Sequence, residues 1–248
     1  MNMQMDFGEK GKRDTALDGG IGYGNRYPHS DLVNTLYALE ALHYSAKHLQ
    51  KDGSDRNEIE KNVDLNWDAA IQFIQNCQNL PKFNSETWAS DDPQNRGGFI
   101  YFPGNSKAEE MELVDGRTAL RSYGSISYAG MLSYMYADLD RKDPRISAVF
   151  EWLQSNYSLD ENPGMGIQGL YFYYHTMAKA LSTYGIDKLE TKDGKSRSWA
   201  RELGSRLLDR QKEDGSWLND SGRWWERDPA LVSAYAVLSL EILYRHLE

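Results

Sequence analysis

The sequence holds a single cysteine, Cys77, in 248 residues. One cysteine excludes an intrachain disulfide and any zinc site built on several thiolates, and it leaves the redox compartment open. No apolar run approaches the roughly 20 residues that a membrane-crossing helix needs, so no membrane span is expected. The first thirteen residues are polar and lack the hydrophobic segment of a signal peptide. A trimmed chain would read the same way, and the compartment stays open. Basic residues are outnumbered, 28 Lys and Arg against 37 Asp and Glu, for a net charge of −9. No Lys/Arg cluster runs beyond a few residues, so neither nucleic acid nor an anionic membrane surface is an expected partner.

What is present is aromatic. Sixteen tyrosines and seven tryptophans accompany an apolar fraction of 40%, enough for a substantial core. Residues 1–18 read as a flexible N-terminal arm and residues 19–248 as one domain. Apolar residues at helical spacing predict seven helices. The first runs over about Asp31–Gln50 and is apolar on two faces, Leu32, Leu36, Leu39 and Leu42 on one and Val33, Tyr37 and Tyr44 on the other. Such a helix is usually buried between neighbours. The second, about Ile59–Cys77, carries the single stripe Val63, Trp67, Ile71, Ile74. A long polar loop over 79–116 follows, of a length often tied to function. The third helix, about Ala119–Leu139, is apolar all round, and the fourth starts at Asp143-Pro144 with a stripe from Ile146 to Leu153. Leu170–Tyr184 is aromatic on most faces, whereas Ser196–Gln211 again shows one stripe. Asp228-Pro229 opens the last helix, repeating the N-cap and first-position proline device.

Inner and outer helices thus alternate along the chain. Each passage from outer to inner crosses a glycine-rich loop, at about 18–24, 97–104, 163–169 and 214–217. Self-similarity of this kind marks an array of helical hairpins, each burying its face on the next. The sharpest of these joints is Gln211-x-x-Asp214-Gly215-Ser216-Trp217. Its Asp-Gly step is a turn signal, with glycine taking the positive φ that ends a helix.

Gln211-x-x-Asp214-Gly215-Ser216-Trp217 resembles the Gln-Trp repeat motif of the squalene-hopene and oxidosqualene cyclases. Gly19-Gly20-Ile21-Gly22-Tyr23, Gly97-Gly98-Phe99 and Gly164-Met165-Gly166 look like weaker copies. Asp31-x-x-Asn34-Thr35-x-Tyr37-Ala38-Leu39, Arg121-Ser122-Tyr123-Gly124-Ser125 and Gly169-Leu170-Tyr171-Phe172-Tyr173-Tyr174-His175-Thr176 are similar to bacterial prenyltransferase and squalene oxidase repeat proteins. The resemblance covers about residues 19–245. It implies an all-α fold, an α/α toroid of alternating inner and outer helices, with any ligand in the central cavity. Fewer hairpins are present than a complete ring holds, so an open or N-terminally shortened ring is expected.

The activity carries over less readily. Triterpene cyclases that start by protonation share an Asp-x-Asp-Asp-Thr-Ala segment whose central aspartate is the acid. In the nearest counterpart here, Asp31-Leu32-Val33-Asn34-Thr35-Leu36, Val33 stands where the acid belongs. Asp115-Gly116-Arg117-Thr118-Ala119 keeps Thr-Ala but not the paired aspartates. Protein prenyltransferases hold zinc on an aspartate, a cysteine two residues later and a distant histidine; two residues before Cys77 stands Gln75. Asp91-Asp92-Pro93 reads as a solvated loop, because an aspartate cluster sharing Mg²⁺ needs one helical face. No metal site and no cofactor are expected.

Polar groups near the inner-helix starts would converge on one rim, where helix N-termini add positive dipoles. His175 is the candidate acid/base, titrating near neutrality, with Asp115 or Glu226 as its carboxylate partner. The alternative is a core histidine satisfied by a tyrosine hydroxyl. Candidate binding residues are Asp31, Asn34, Tyr37, Arg121, Tyr123, Tyr171, Tyr174, Trp224 and Trp225. Against that stand capping roles for the acids and plain packing for the tryptophans. Gln211, Asp214, Gly215 and Trp217 are expected to be structural. The expected partner is a small hydrophobic or sugar-like ligand in the cavity. Three functions stay open: an isoprenoid-converting enzyme, a binding protein that has lost the acid, and a polysaccharide-active enzyme.

Overall fold

The computed structural model describes residues 4–24, 27–51, 65–113, 116 and 118–247. It is mostly α-helical, with few and short strands. The helices are α1 (Leu32–Lys51), α2 (Trp67–Asn76), α3 (Gly124–Tyr136), α4 (Pro144–Ser155), α5 (Leu170–Tyr184), α6 (Trp199–Asp209) and α7 (Pro229–Tyr244). Two antiparallel pairs accompany them, β1 (Glu110–Glu112) with β2 (Thr118–Leu120) and β3 (Leu189–Glu190) with β4 (Ser196–Arg197). The expected starts at Ala119 and Ser196 are therefore too early, since both residues are spent on strands. The early part of the helix expected from Ile59 lies outside the described residues.

Helix starts follow side-chain chemistry. Asp143 and Asp228 accept backbone N–H bonds from Arg145 and Ala230, each at 2.9 Å, with proline in the first turn. Asn66 does the same for Ala69 at 3.0 Å. These groups satisfy donors that a helix start leaves without partners.

Helices α1, α3, α5 and α7 are successive neighbours, and α2 and α4 pack on α3 while α6 packs on α7. Every residue of α3 is buried. The outer members bury one face each, Ile146, Val149, Trp152 and Leu153 on α4, and Trp199, Leu203 and Leu207 on α6. The ends of the inner row depart from expectation. Leu32, Leu36 and Leu39 are buried in α1, but Tyr37 and Tyr44 are exposed; in α7, Val232, Ala236 and Leu243 are buried, but Val237, Leu238 and Tyr244 are exposed. A terminal helix has a row neighbour on one flank only, so apolar residues all round do not guarantee burial all round.

A repeated device joins the units. Gly19, Gly97, Gly164 and Gly215 all take positive φ, between 82° and 91°. Two residues on, the backbone N–H of Ile21, Phe99 and Trp217 donates to the hydroxyls of Thr35, Ser127 and Ser233, at 2.9, 3.0 and 3.1 Å. Those hydroxyls sit near the starts of α1, α3 and α7, so three of the four turns are pinned to the helix that follows them. In two units the turn also lies directly on an outer helix. A Cβ on Gly19 would sit 2.2 Å from the Ala69 carbonyl oxygen, and one on Gly97 would sit 2.1 Å from that of Ala148. Gln211 donates its amide to the Gly215 carbonyl at 2.9 Å, and Gln78 does the same for Gly97.

Residues 4–18 are not the loosely attached arm that their polar composition suggested. Met5 exchanges backbone bonds with Gly19 and Gly20. The buried Asp18 carboxylate collects the N–H groups of Phe7 and Thr15 and the Thr15 hydroxyl. One carboxylate thus orders a segment that has little apolar surface of its own.

Candidate functional site

The N-terminal ends of the inner helices border a cavity of about 210 Å³. Val33 comes from α1, Ser125 and Ile126 from α3, Phe172 from α5 and Tyr235 from α7; Tyr123 caps α3. The glycine-aromatic loop adds Tyr23, the long loop adds Tyr101 and Lys107, and the segment before α7 adds Trp224 and Glu226. Six of these side chains are aromatic. Phe172 and Tyr235 meet edge to face with centroids 5.8 Å apart. Burial lifts the Tyr101 and Tyr123 hydroxyls far above the ordinary phenol range, so both stay neutral.

Trp224 reaches the cavity through unusual backbone. Trp224 and the following Trp225 have φ of 55° and 65°, the left-handed region that costs a side chain on the order of 1 kcal/mol or more. Gly169 makes room for the ring, since a Cβ there would lie 3.0 Å from Trp224. Arg223 stacks on the Trp224 ring at 4.4 Å and donates to Gln168 Oε1 at 2.6 Å. Trp225, by contrast, is 80% exposed and is not part of the lining.

The acidic groups here are committed to the backbone. Glu226 is buried and caps α5 from outside, its Oε1 accepting from the N–H groups of Tyr171 and Phe172 at 3.0 and 2.9 Å. Its Oε2 accepts from Asn219 at 2.5 Å. Burial raises its pKa while these donors oppose the rise. Asp31 is fully buried and caps α1, accepting from the N–H groups of Val33 and Asn34 and from the Asn34 amide.

His175 does not join this group. It lines a second hollow of about 360 Å³ with Tyr44, Tyr136, Lys179 and Glu241, towards the C-terminal ends of the same helices. Its Nδ1 is buried without a hydrogen-bond partner, and burial with the nearby Lys179 pushes its pKa down to about 4. The expected His175–Glu226 pair is therefore corrected, because Glu226 is held at the start of α5 by its own donors. Asp115 lies outside the described residues.

Of the candidate binding residues, Tyr123 and Trp224 line the aromatic cavity. Asp31 and Asn34 form the α1 cap, and Arg121 reaches outward to Glu109 at 3.7 Å. Tyr37 stands beside Lys179, whose Nζ is 5.8 Å from its ring. Tyr171 and Tyr174 are corrected: both are buried in the core, and Tyr174 donates to the Leu159 carbonyl at 2.5 Å. Phe172 faces the cavity in their stead, since successive helical residues point about 100° apart. Tyr23, Tyr101, Lys107 and Tyr235 were missed. Their signal is weak in the chain because three of them sit in loops. In the Gln-Trp joint, Asp214 accepts from the Ser216 N–H and hydroxyl, and the buried Trp217 donates to the Leu207 carbonyl at 2.7 Å. Asp91 and Asp92 lie in a turn, where Asp92 accepts from the Gln94 N–H.

Comparison with protein-family models, curated proteins and solved structures gives no match for this chain. Among the described residues, no cluster of His, Cys, Asp or Glu is arranged to hold a metal ion, and no helix is long and apolar enough to cross a membrane.

Proposed function

We propose that this is a squalene-cyclase-like repeat protein, its inner helices forming part of an α/α toroid, and that it binds a short isoprenoid or similar apolar molecule. The observation that carries this reading is the cavity of six aromatic side chains at the shared end of the inner helices. Concave, mostly apolar sites with a few polar groups are the usual form of small-molecule sites. The repeated glycine turn, pinned by a hydroxyl in three of its four occurrences, supports the toroid, because similar joints give successive hairpins similar rotations. Binding is favoured over conversion. Among the described residues the lining holds one carboxyl, Glu226, which accepts from three donors, and His175 faces another hollow. Glycan cleavage ordinarily calls for two carboxyl groups flanking the scissile bond, and the described residues of this lining offer one.

The size of the cavity argues for a small ligand. Its 210 Å³ falls below the ~300 Å³ at which drug-sized pockets begin. Titration of tryptophan fluorescence with geraniol, farnesol and squalene tests the reading. Saturable binding of the shorter alcohols is expected, weakened about tenfold or more by Phe172→Asp through the cost of a buried charge. No saturation with any of them overturns the proposal, and product formed from an isoprenoid overturns the preference for binding.

A further inference from the structure

We infer that the open face of α7 is an interaction surface for a second copy of this chain, the two α7 helices packing antiparallel about a two-fold axis at Ala234. The inference is independent of what the aromatic cavity binds.

Helix α7 carries one charged residue, Glu241, among its sixteen, in a chain of which 26% is charged. A helix apolar all round is ordinarily buried all round. In α7 the buried residues are Val232, Ala236, Ser239 and Leu243. The opposite face, with Ala230, Ala234, Val237, Leu238, Glu241 and Tyr244, is open to solvent. Val237, Leu238 and Tyr244 are 55%, 46% and 64% exposed. The outer helices differ. The exposed positions of α4 are Pro144, Glu151 and Ser155, and those of α6 are Arg201, Ser205, Leu208 and Asp209. Where water is the neighbour, this chain places mostly polar residues; on α7 it does not. A contiguous apolar face of this kind marks an interaction site.

The pattern of the face selects the occupant. Residues three, four and seven apart share one helical face. Seven residues before Ala234 stands Arg227, just ahead of the Asp228 cap, and seven after it stands Glu241; Ala230 and Leu231 lie between on one side, Val237 and Leu238 on the other. A second α7 turned end over end about Ala234 sets Ala230 against Leu238, small beside large, and Leu231 against Val237. It also sets Arg227 against Glu241, twice. Alanine at the axis lets the two helices approach closely. Parallel pairing would instead set Glu241 against Glu241. Both charges are exposed, Arg227 donates to the neutral Asp220 carbonyl, and the present partner of Glu241 is Arg245 on its own helix. Such peripheral pairs fix register more than affinity, which comes from the apolar residues between them. The net charge of −9 opposes self-association, but this face carries Arg227 and Arg245 beside its one acid. Two-fold dimers are also the commonest closed assembly. A seam of one helix from each copy lies at the low end of specific interfaces, so dissociation in the micromolar range is expected.

Sedimentation velocity of the full chain across the micromolar range tests this, with a reversible dimer as the expected result. Arg227→Glu and Glu241→Arg should each weaken it about tenfold or more, through like charges brought together. An equimolar mixture of the two variants should recover it, because both contacts across the mixed pair are again between opposite charges. Ala234→Arg should abolish the dimer and, at an exposed position, leave thermal unfolding unchanged. Cys77 is buried, so Ala234→Cys supplies the accessible thiol, and mild oxidation should link two copies through it, whereas Ala41→Cys on α1 should not link. A monomer at every concentration overturns the inference and leaves the face to a different protein or segment. A dimer indifferent to Ala234→Arg overturns α7 as the surface. A dimer that Ala234→Arg abolishes, but without recovery in the mixture or linkage through Ala234→Cys, overturns the two-fold pairing, since α7 would then meet another surface of the second copy.

Discussion

His175 is uncharged at neutral pH because its surroundings are dry and the nearby Lys179 disfavours a second positive charge. Tyr44, Tyr136, Lys179, Glu241 and Arg245 face the same hollow. The folded pKa near 4 lies below the ordinary 6.5, so the unfolded chain binds the proton first as pH falls. The neutral form's contribution is complete above about pH 6.5 and is lost progressively towards pH 4, on the order of 2–3 kcal/mol in all. Urea unfolding of wild type and His175→Gln at pH 7 and pH 4.5 checks this. The wild type should lose more stability on acidification than the variant does; equal losses would remove His175 as the cause. The sequence reading placed this histidine in an aromatic helix, which is correct, but could not say that no acceptor or acid would reach Nδ1. Only a partner on another helix decides that.

At the scale of elements, the joint between outer and inner helices shows what two glycines of similar φ can mean. Gly215 has φ 82° with its nearest foreign atom, Gln211 Nε2, 3.9 Å from where a Cβ would stand. Gly97 has φ 91° and its Cβ would collide with the Ala148 carbonyl oxygen. Gly215→Ala should therefore cost about 1–2 kcal/mol, the backbone penalty alone. Gly97→Ala should cost about 3 kcal/mol or more, because α4 must also move. Equilibrium unfolding of both variants measures the difference, and equal costs would mean that the close approach does not matter. The glycines themselves were legible as turn signals. The partner of Gly97 was not: Gln78 stands far from it in the chain, with a loop inserted where Gln211 and Gly215 are four residues apart. Nor were the pins from Thr35, Ser127 and Ser233, since a hydroxyl in a helix looks the same whether or not it holds a neighbouring turn.

At the scale of the molecule, α1 and α5 are tied by one ion pair, Lys179 Nζ to Glu40 Oε1 at 2.5 Å, with both side chains mostly shielded from water. The pair spans the inner row and stands beside the His175 hollow, which Lys179 itself lines. Lys179→Met leaves Glu40 half-buried with only the Tyr136 hydroxyl, 3.4 Å from its Oε1, as partner, at an expected cost of about 2 kcal/mol. Adding Glu40→Leu should recover most of it, since a shielded ion pair is often replaceable by apolar side chains of similar size. A double-mutant cycle in urea decides. If the double variant is no better than the single one, the pair contributes through some contact other than its charges.

Period, cap and turn are local properties, and the sequence by itself determined them: seven helices, the one-sided stripes of α4 and α6, the Asp-Pro starts and the glycine joints. Each depends on residues a few positions apart, whose geometry follows from backbone sterics and helical spacing. The tertiary structure alone decided which face of each inner helix meets the cavity. It put Phe172 there and its tyrosine neighbours in the core, turned Glu226 and Asp31 into caps, and sent His175 to a different hollow. It also brought Lys107, from the long loop, into one lining with Trp224, from a segment more than a hundred residues away. Those outcomes depend on the rotation of one helix against the next and on where loops return, and contacts between distant segments carry no periodic signature along the chain.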